Sequence, residues 1–147
     1  MPDNDSRRSL PAYDLVVPPS IRFGPGRAAE IAAVAAGLGR TAWLVGGQRS
    51  LVDSGLLDTL ERGLAAAGLP ARLVATAAGE PTVDQVAAAA AGLPREGRAD
   101  AVVIAVGGGA AIDLAKAVAA LATNVPPDTR DFDAAVVDRL EGVGRGL

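Results

Sequence analysis

Three consecutive glycines, Gly107 to Gly109, divide the stretch VVIAVGGGAAIDLAKAVAALATN (Val102 to Asn124) into a β-branched apolar run and a long alanine-rich run. Each glycine placed inside a regular element costs roughly 0.5–1 kcal/mol relative to alanine, so the triplet marks a junction and not the middle of one element. The stretch reads strand, glycine turn, helix. In an open parallel sheet that junction lies beyond the carboxyl end of a strand, where a helix N-terminus presents unpaired N–H groups and about half a positive charge. Removing three Cβ atoms there lets the main chain approach an anion such as a pyrophosphate and permits positive φ angles. A tight turn, or close packing of the helix on its strand, is the other use such glycines have.

The rest of the chain repeats the same alternation. TAWLVGG (Thr41 to Gly47) is a continuous apolar run ending in glycine, the pattern of a parallel strand buried on both faces. Ser54 precedes a helix through GLLDTLERGLAAAG with Leu56, Leu57, Leu60 and Leu64 on one side. ARLVAT (Ala71 to Thr76) is a further strand, and TVDQVAAAAAGL opens with Thr82 and Gln85 at capping-box spacing. Ahead of these, RAAEIAAVAAGLG spaces Ile31, Val34, Ala35 and Leu38 as a helix that should end in a left-handed glycine among Gly37 to Gly39. YDLVVPPSIRFGPG suggests a small N-terminal β-hairpin, and RDFDAAVVDRLEG a weaker terminal helix. Parallel strands need crossovers, so the expected fold class is α/β, a doubly wound Rossmann-like parallel sheet with helices on both faces.

Composition narrows the function classes. With 147 residues, half of them hydrophobic, the chain fits one domain, and an aromatic content of 3% makes the core aliphatic. A net charge of −3 provides no basic face for a phosphodiester backbone, so nucleic acid is not an expected partner. The sequence has neither cysteine nor histidine, which removes disulfides, thiolate metal sites, the commonest general base and the commonest transition-metal ligand together. No apolar leader and no run of about 18 apolar residues occurs, so a soluble, cytoplasmic protein without a membrane partner is expected. Neither TAWLVGG nor VVIAVGGG ends in a carboxylate, which disfavours a phospho-acceptor receiver domain. The glycine segment also fails two common fingerprints: Ile112 stands where G-x-G-x-x-G needs its last glycine, and no Gly-Lys-Ser/Thr follows as in a P-loop.

The longer string GGGAAIDLAKA resembles the GGGSxxDxAKA signature of the iron-containing alcohol dehydrogenase family, which is similar to glycerol dehydrogenases, maleylacetate reductases and dehydroquinate synthases. IRFGPGRAAEI, WLVGGQRSLVDSGLLDTL, GEPTVDQV, ALATN and LEGVGRGL resemble further family segments in the family's order, so the similarity covers roughly residues 15 to 147. The polar residues 1–12 read as a flexible N-terminus, and the resemblance implies an NAD(P)-binding N-terminal domain, taken over residues 13–147. It implies that Gly107, Gly108, Gly109 and Ala110 line the cofactor pyrophosphate, that Asp113 faces the nicotinamide ribose, and that Glu80 and Pro81 border the adenosine. Asp113 also reads as an ordinary first-turn carboxylate and Lys116 as its i, i+3 partner. Gln48 stands where many members have the acid that holds an adenosine ribose hydroxyl; with Arg49 beside it, NAD and NADP both stay compatible. Ala110 replaces the family's usual serine and deletes one hydroxyl from the corner.

The family's chemistry implies a metal, iron or zinc, held by an aspartate and histidines in a helical second domain, and a sequence without histidine cannot supply that set. Asp128, Asp131 and Asp133 read as a solvated helix start. The expectation is therefore a cofactor-binding domain truncated before the metal site, inactive by itself, and either self-associating or paired with a separately encoded metal-binding domain. A noncatalytic nucleotide-binding or interaction module is the alternative.

Overall fold

The computed structural model describes residues 20–124. They form a three-stranded parallel sheet of β1 (Thr41–Gly47), β2 (Ala71–Ala77) and β3 (Ala101–Val106) in the order β2-β1-β3. Four α-helices flank it: α1 (Ile31–Ala36), α2 (Leu56–Ala66), α3 (Val83–Ala91) and α4 (Gly109–Asn124). This is the α/β architecture that the alternating pattern predicts. Of the expected hairpin, residues 20–23 belong to no strand and the first arm lies outside the described residues, as does the terminal helix.

Alternation along β1 sends its side chains to two separate cores. Trp43 and Val45 pack with α3 and α4, whereas Ala42 and Leu44 pack with α1 and α2. All four are buried, which is why the run carries no polar residue on either face. On the α1/α2 side Leu64 and Leu69 are fully buried, and on the α4 side Leu114 and Val118 are. Each such side chain contributes roughly 1.5–3 kcal/mol of apolar transfer.

β2 does not alternate cleanly. Leu44 pairs with Leu73 but Val45 pairs with Ala75, so Val74 is an extra residue. Its insertion reverses the faces: Ala71 and Leu73 belong to the α1/α2 core, Val74, Ala75 and Ala77 to the α3/α4 core. β3 keeps register with β1 throughout, Thr41 to Gly46 pairing with Ala101 to Val106.

Two sequence-based expectations need correction. The first helix begins as a 3-10 turn at Arg27–Glu30 and ends at Gly37 with φ −82°, right-handed; none of its closing glycines is left-handed. Gly39 is there for space, since a Cβ on it would lie 2.6 Å from the Asp100 carbonyl oxygen at the entry to β3. Of the expected stripe, Ile31 and Ala35 face the core, joined by Ala32, whereas Val34 and Leu38 are exposed. In α2, Leu57, Leu60 and Leu64 turn inward while Leu56 lies at the edge, its amide donating to Ser54 Oγ at 3.3 Å.

Candidate functional site

The strand order creates a topological switch. From central β1 the chain crosses to β2 on one side and then to β3 on the other, which makes the carboxyl ends of β1 and β3 the topological switch point, the place where open α/β sheets carry their ligand crevice. Gly46–Gly47 close β1, and Gly107–Gly109 follow β3, which brings the two glycine turns together. A Cβ on Gly107 would lie 3.3 Å from the Gly47 nitrogen, 3.2 Å from Ser50 Oγ and 3.1 Å from Ala111 Cβ. With φ at +144° as well, position 107 accepts glycine on two counts.

The next two glycines stand in the opposite situation. A Cβ on Gly108 or Gly109 would meet none of the described residues within 4 Å, and both residues are exposed. Gly108 accepts the first bond of α4, from the Ile112 amide at 3.1 Å, which makes it the N-cap of a 16-residue helix. A serine or aspartate at that position would turn its side chain onto the first-turn amides; glycine has none to turn. The amides of Gly109, Ala110 and Ala111 have no acceptor within the helix and sit at its positive end. Bare main chain facing open space fits a phosphate oxygen, whose charge the helix end complements. The predicted residues Gly107, Gly108, Gly109 and Ala110 thus form one corner at the carboxyl end of the sheet.

Ser50 and Leu51 at the same corner escape a reading of the sequence. After β1 the chain makes a π-helical turn, Gln48–Asp53. Leu51 is fully buried against Gly46, where an added Cβ would overlap the leucine side chain. That contact fixes the preceding residue, and Ser50 Oγ lies beside Gly47 and Gly107, donating to the Gly47 carbonyl at 3.4 Å. A glycine pair followed by a buried leucine is the available signal, and it is weak.

Gln48 donates through Nε2 to Asp53 Oδ1 at 3.1 Å. The π turn therefore returns a carboxylate to the side of Gln48, where the linear sequence indicates none, and the argument for tolerance of a 2′-phosphate weakens accordingly. Arg49 is exposed in the same turn. Glu80 and Pro81 follow β2, two strand spacings or roughly 10 Å from the end of β3. Asp113 is exposed on α4 and accepts from Lys116 Nζ at 3.1 Å, the local i, i+3 pair that the spacing suggests.

The donor set for iron is a different matter. No group of three or more His, Cys, Asp or Glu that could hold a metal occurs among the described residues, so these residues do not fit the family's metal. Asp128, Asp131 and Asp133 lie outside the described residues. No helix among the described residues is long and apolar enough to cross a membrane.

The family model for iron-containing alcohol dehydrogenase matches residues 18–143. A protein described as a probable alcohol dehydrogenase, EutG of Escherichia coli (strain K12), is 38% identical over 113 residues, which is 77% of this chain and 28% of that protein. The chain therefore spans well under half the length of the curated relative it matches. The family's description specifies iron, and zinc finds no support. With 126 of 147 positions inside the family model, the chain belongs to the iron-containing alcohol dehydrogenase family.

Proposed function

We propose that these residues are the nicotinamide-dinucleotide-binding part of an iron-dependent alcohol dehydrogenase, with the cofactor's pyrophosphate at the start of α4. One observation carries the reading: the bare N-terminus of α4 opens at the switch point between β1 and β3, where a ligand of an open α/β sheet binds. The amides of Gly109 and Ala110 bind a phosphate through hydrogen bonds. Gly108 and Gly109 keep side chains out of its way, Gly107 lets the turn close against the end of β1, and the dipole of α4 stabilises the charge. The bound nicotinamide supplies hydride acceptance from an alcohol or return to an aldehyde. The turn at Gln48 to Asp53 borders the adenosine ribose, and its composition, Asp53 against Arg49, leaves NAD and NADP both in the reading.

Iron chemistry does not come from the described residues in this reading; it requires a metal-bearing part in the same or a separate polypeptide. Ile21, Phe23 and Leu38 are 85%, 97% and 70% exposed, which supports a packing surface for further protein, whether that part or a second copy. Size-exclusion chromatography tests this: a monomer at all concentrations counts against self-association. A nucleotide-binding module without catalysis is the second reading, since the corner from Gly107 to Ala110 needs no metal to form.

Calorimetric titration of the 147-residue protein with NADH and NADPH tests the first claim. Energy transfer from buried Trp43, which lies in the central strand, gives an independent readout. Saturable binding with one dinucleotide per chain is expected, and no binding at millimolar cofactor overturns both readings. Alcohol oxidation by this chain with added iron would remove the noncatalytic one.

A further inference from the structure

We infer that Ser50 is a phosphate-binding residue: its hydroxyl donates to a non-bridging oxygen of the dinucleotide from the β1 side of the crevice. The inference rests on the reading above that the pyrophosphate lies at the start of α4, and it adds a contact from a different element of the fold.

The geometry begins with a missing side chain. Because Gly46 has no Cβ, Leu51 tucks fully into the end of β1, and the π turn that follows is held from within. Ser50 is thereby set over the junction of the two glycine turns. Its Oγ is 3.2 Å from the point that a Gly107 Cβ would occupy and 2.7 Å from the corresponding point on Gly47. Of the atoms nearest the Gly107 point, Ser50 Oγ is the side-chain polar one.

The hydroxyl is also loosely committed. Its bond to the Gly47 carbonyl measures 3.4 Å, whereas O–H···O bonds cluster near 2.7–2.8 Å. A phosphate oxygen is a stronger acceptor, forming charge-assisted bonds of about 2.5–2.7 Å, so rotation of the Ser50 O–H from Gly47 to the ligand gains energy. The amides of one helix turn approach a pyrophosphate from one side and cannot serve all of its oxygens. Ala110 offers a methyl group where a hydroxyl would extend their reach, and Ser50 brings one in from across the crevice. π-helical turns recur at functional sites, and here the turn aims this residue.

The test compares NADH binding by the 147-residue wild type, Ser50→Ala and Ser50→Thr, together with the phosphorus-31 shifts of bound NADH and the melting temperature. Ser50→Ala should weaken NADH about five- to tenfold and change the bound phosphorus shifts. Ser50→Thr should bind within about twofold of wild type, and all three should melt within a degree or two of one another because the side chain is exposed. Wild-type affinity in Ser50→Ala overturns the inference. So does equal weakening by alanine and threonine, or weakening that follows a lowered melting temperature, since each assigns the effect to packing. If the wild type binds no dinucleotide, the reading of the α4 corner itself fails, and this inference with it.

Discussion

Helices α3 and α4 lie side by side on the same face of the sheet, and both begin at its carboxyl end, yet their first turns are built in opposite ways. At α3 the Thr82 hydroxyl accepts from the Gln85 amide at 3.3 Å while the Gln85 side chain accepts from the Thr82 amide at 3.0 Å. That helix satisfies its own start. At α4 the capping position is glycine and the space before it is open. At the far side of the sheet, Arg98 ties the last turn of α4 to the loop that follows α3. Arg98 donates from Nε to the Pro94 carbonyl at 2.8 Å, from Nη2 to the Leu93 carbonyl at 3.2 Å and from Nη1 to the Ala122 carbonyl at 3.4 Å. Of the two helix starts, one is closed by side chains and the other is left open among the described residues. The open end is the one at the topological switch.

Four substitutions separate the parts of this contrast. The largest effect is expected at Gly107: Gly107→Val forces a β-branched residue to φ +144° and against the Gly47 amide and Ala111. It should cost about 3 kcal/mol in denaturant unfolding and abolish NADH binding, and unchanged stability would show that the corner yields easily. Arg98→Ala removes a guanidinium fork that ties the last turn of α4 to the loop after α3 and should cost about 2 kcal/mol, with Arg98→Lys recovering only part because an ammonium cannot span three carbonyls. Dinucleotide affinity should be retained, since the fork lies at the opposite end of α4. Thr82→Ala opens the start of α3 and should cost about 1 kcal/mol while NADH affinity stays within twofold. If NADH affinity collapsed instead, the two helix starts would not be functionally distinct. Lys116→Ala breaks an exposed pair with Asp113 and should change stability by no more than about 0.5 kcal/mol in chemical denaturation.

Short-range features of this contrast are legible in the linear sequence. Thr82 and Gln85 are three residues apart, and their capping box depends on nothing else in the fold. The glycine triplet likewise announces a strand-to-helix junction through local conformational cost, and β1 is delimited by an apolar run with glycines at its end. What the sequence hides is set across the sheet. Gly47 meets Gly107 because β1 lies between β2 and β3, an order that no local pattern encodes. The extra residue at Val74 is invisible because both faces of β2 are apolar there, so a reversal of faces leaves no polar mark. Ser50 reads as a loop serine until the π turn and buried Leu51 aim it, and Asp53 reads as distant from Gln48 until the same turn pairs them. The unmet left-handed end of the first helix has a similar origin: Gly39 answers a steric demand from the Asp100 carbonyl, a residue far along the chain.

The account's central claim, that α4 is left uncapped for a phosphate, is tested most directly by closing it. Gly108→Asp places a carboxylate where a Cβ meets none of the described residues and the backbone is not left-handed, so the variant should fold, with a melting temperature equal to or slightly above wild type as the new side chain caps α4. NADH affinity, titrated on the same samples, should fall more than tenfold because the amides are taken and the new charge repels phosphate. A Gly108→Asp protein that melts like wild type and binds NADH with undiminished affinity would contradict the claim.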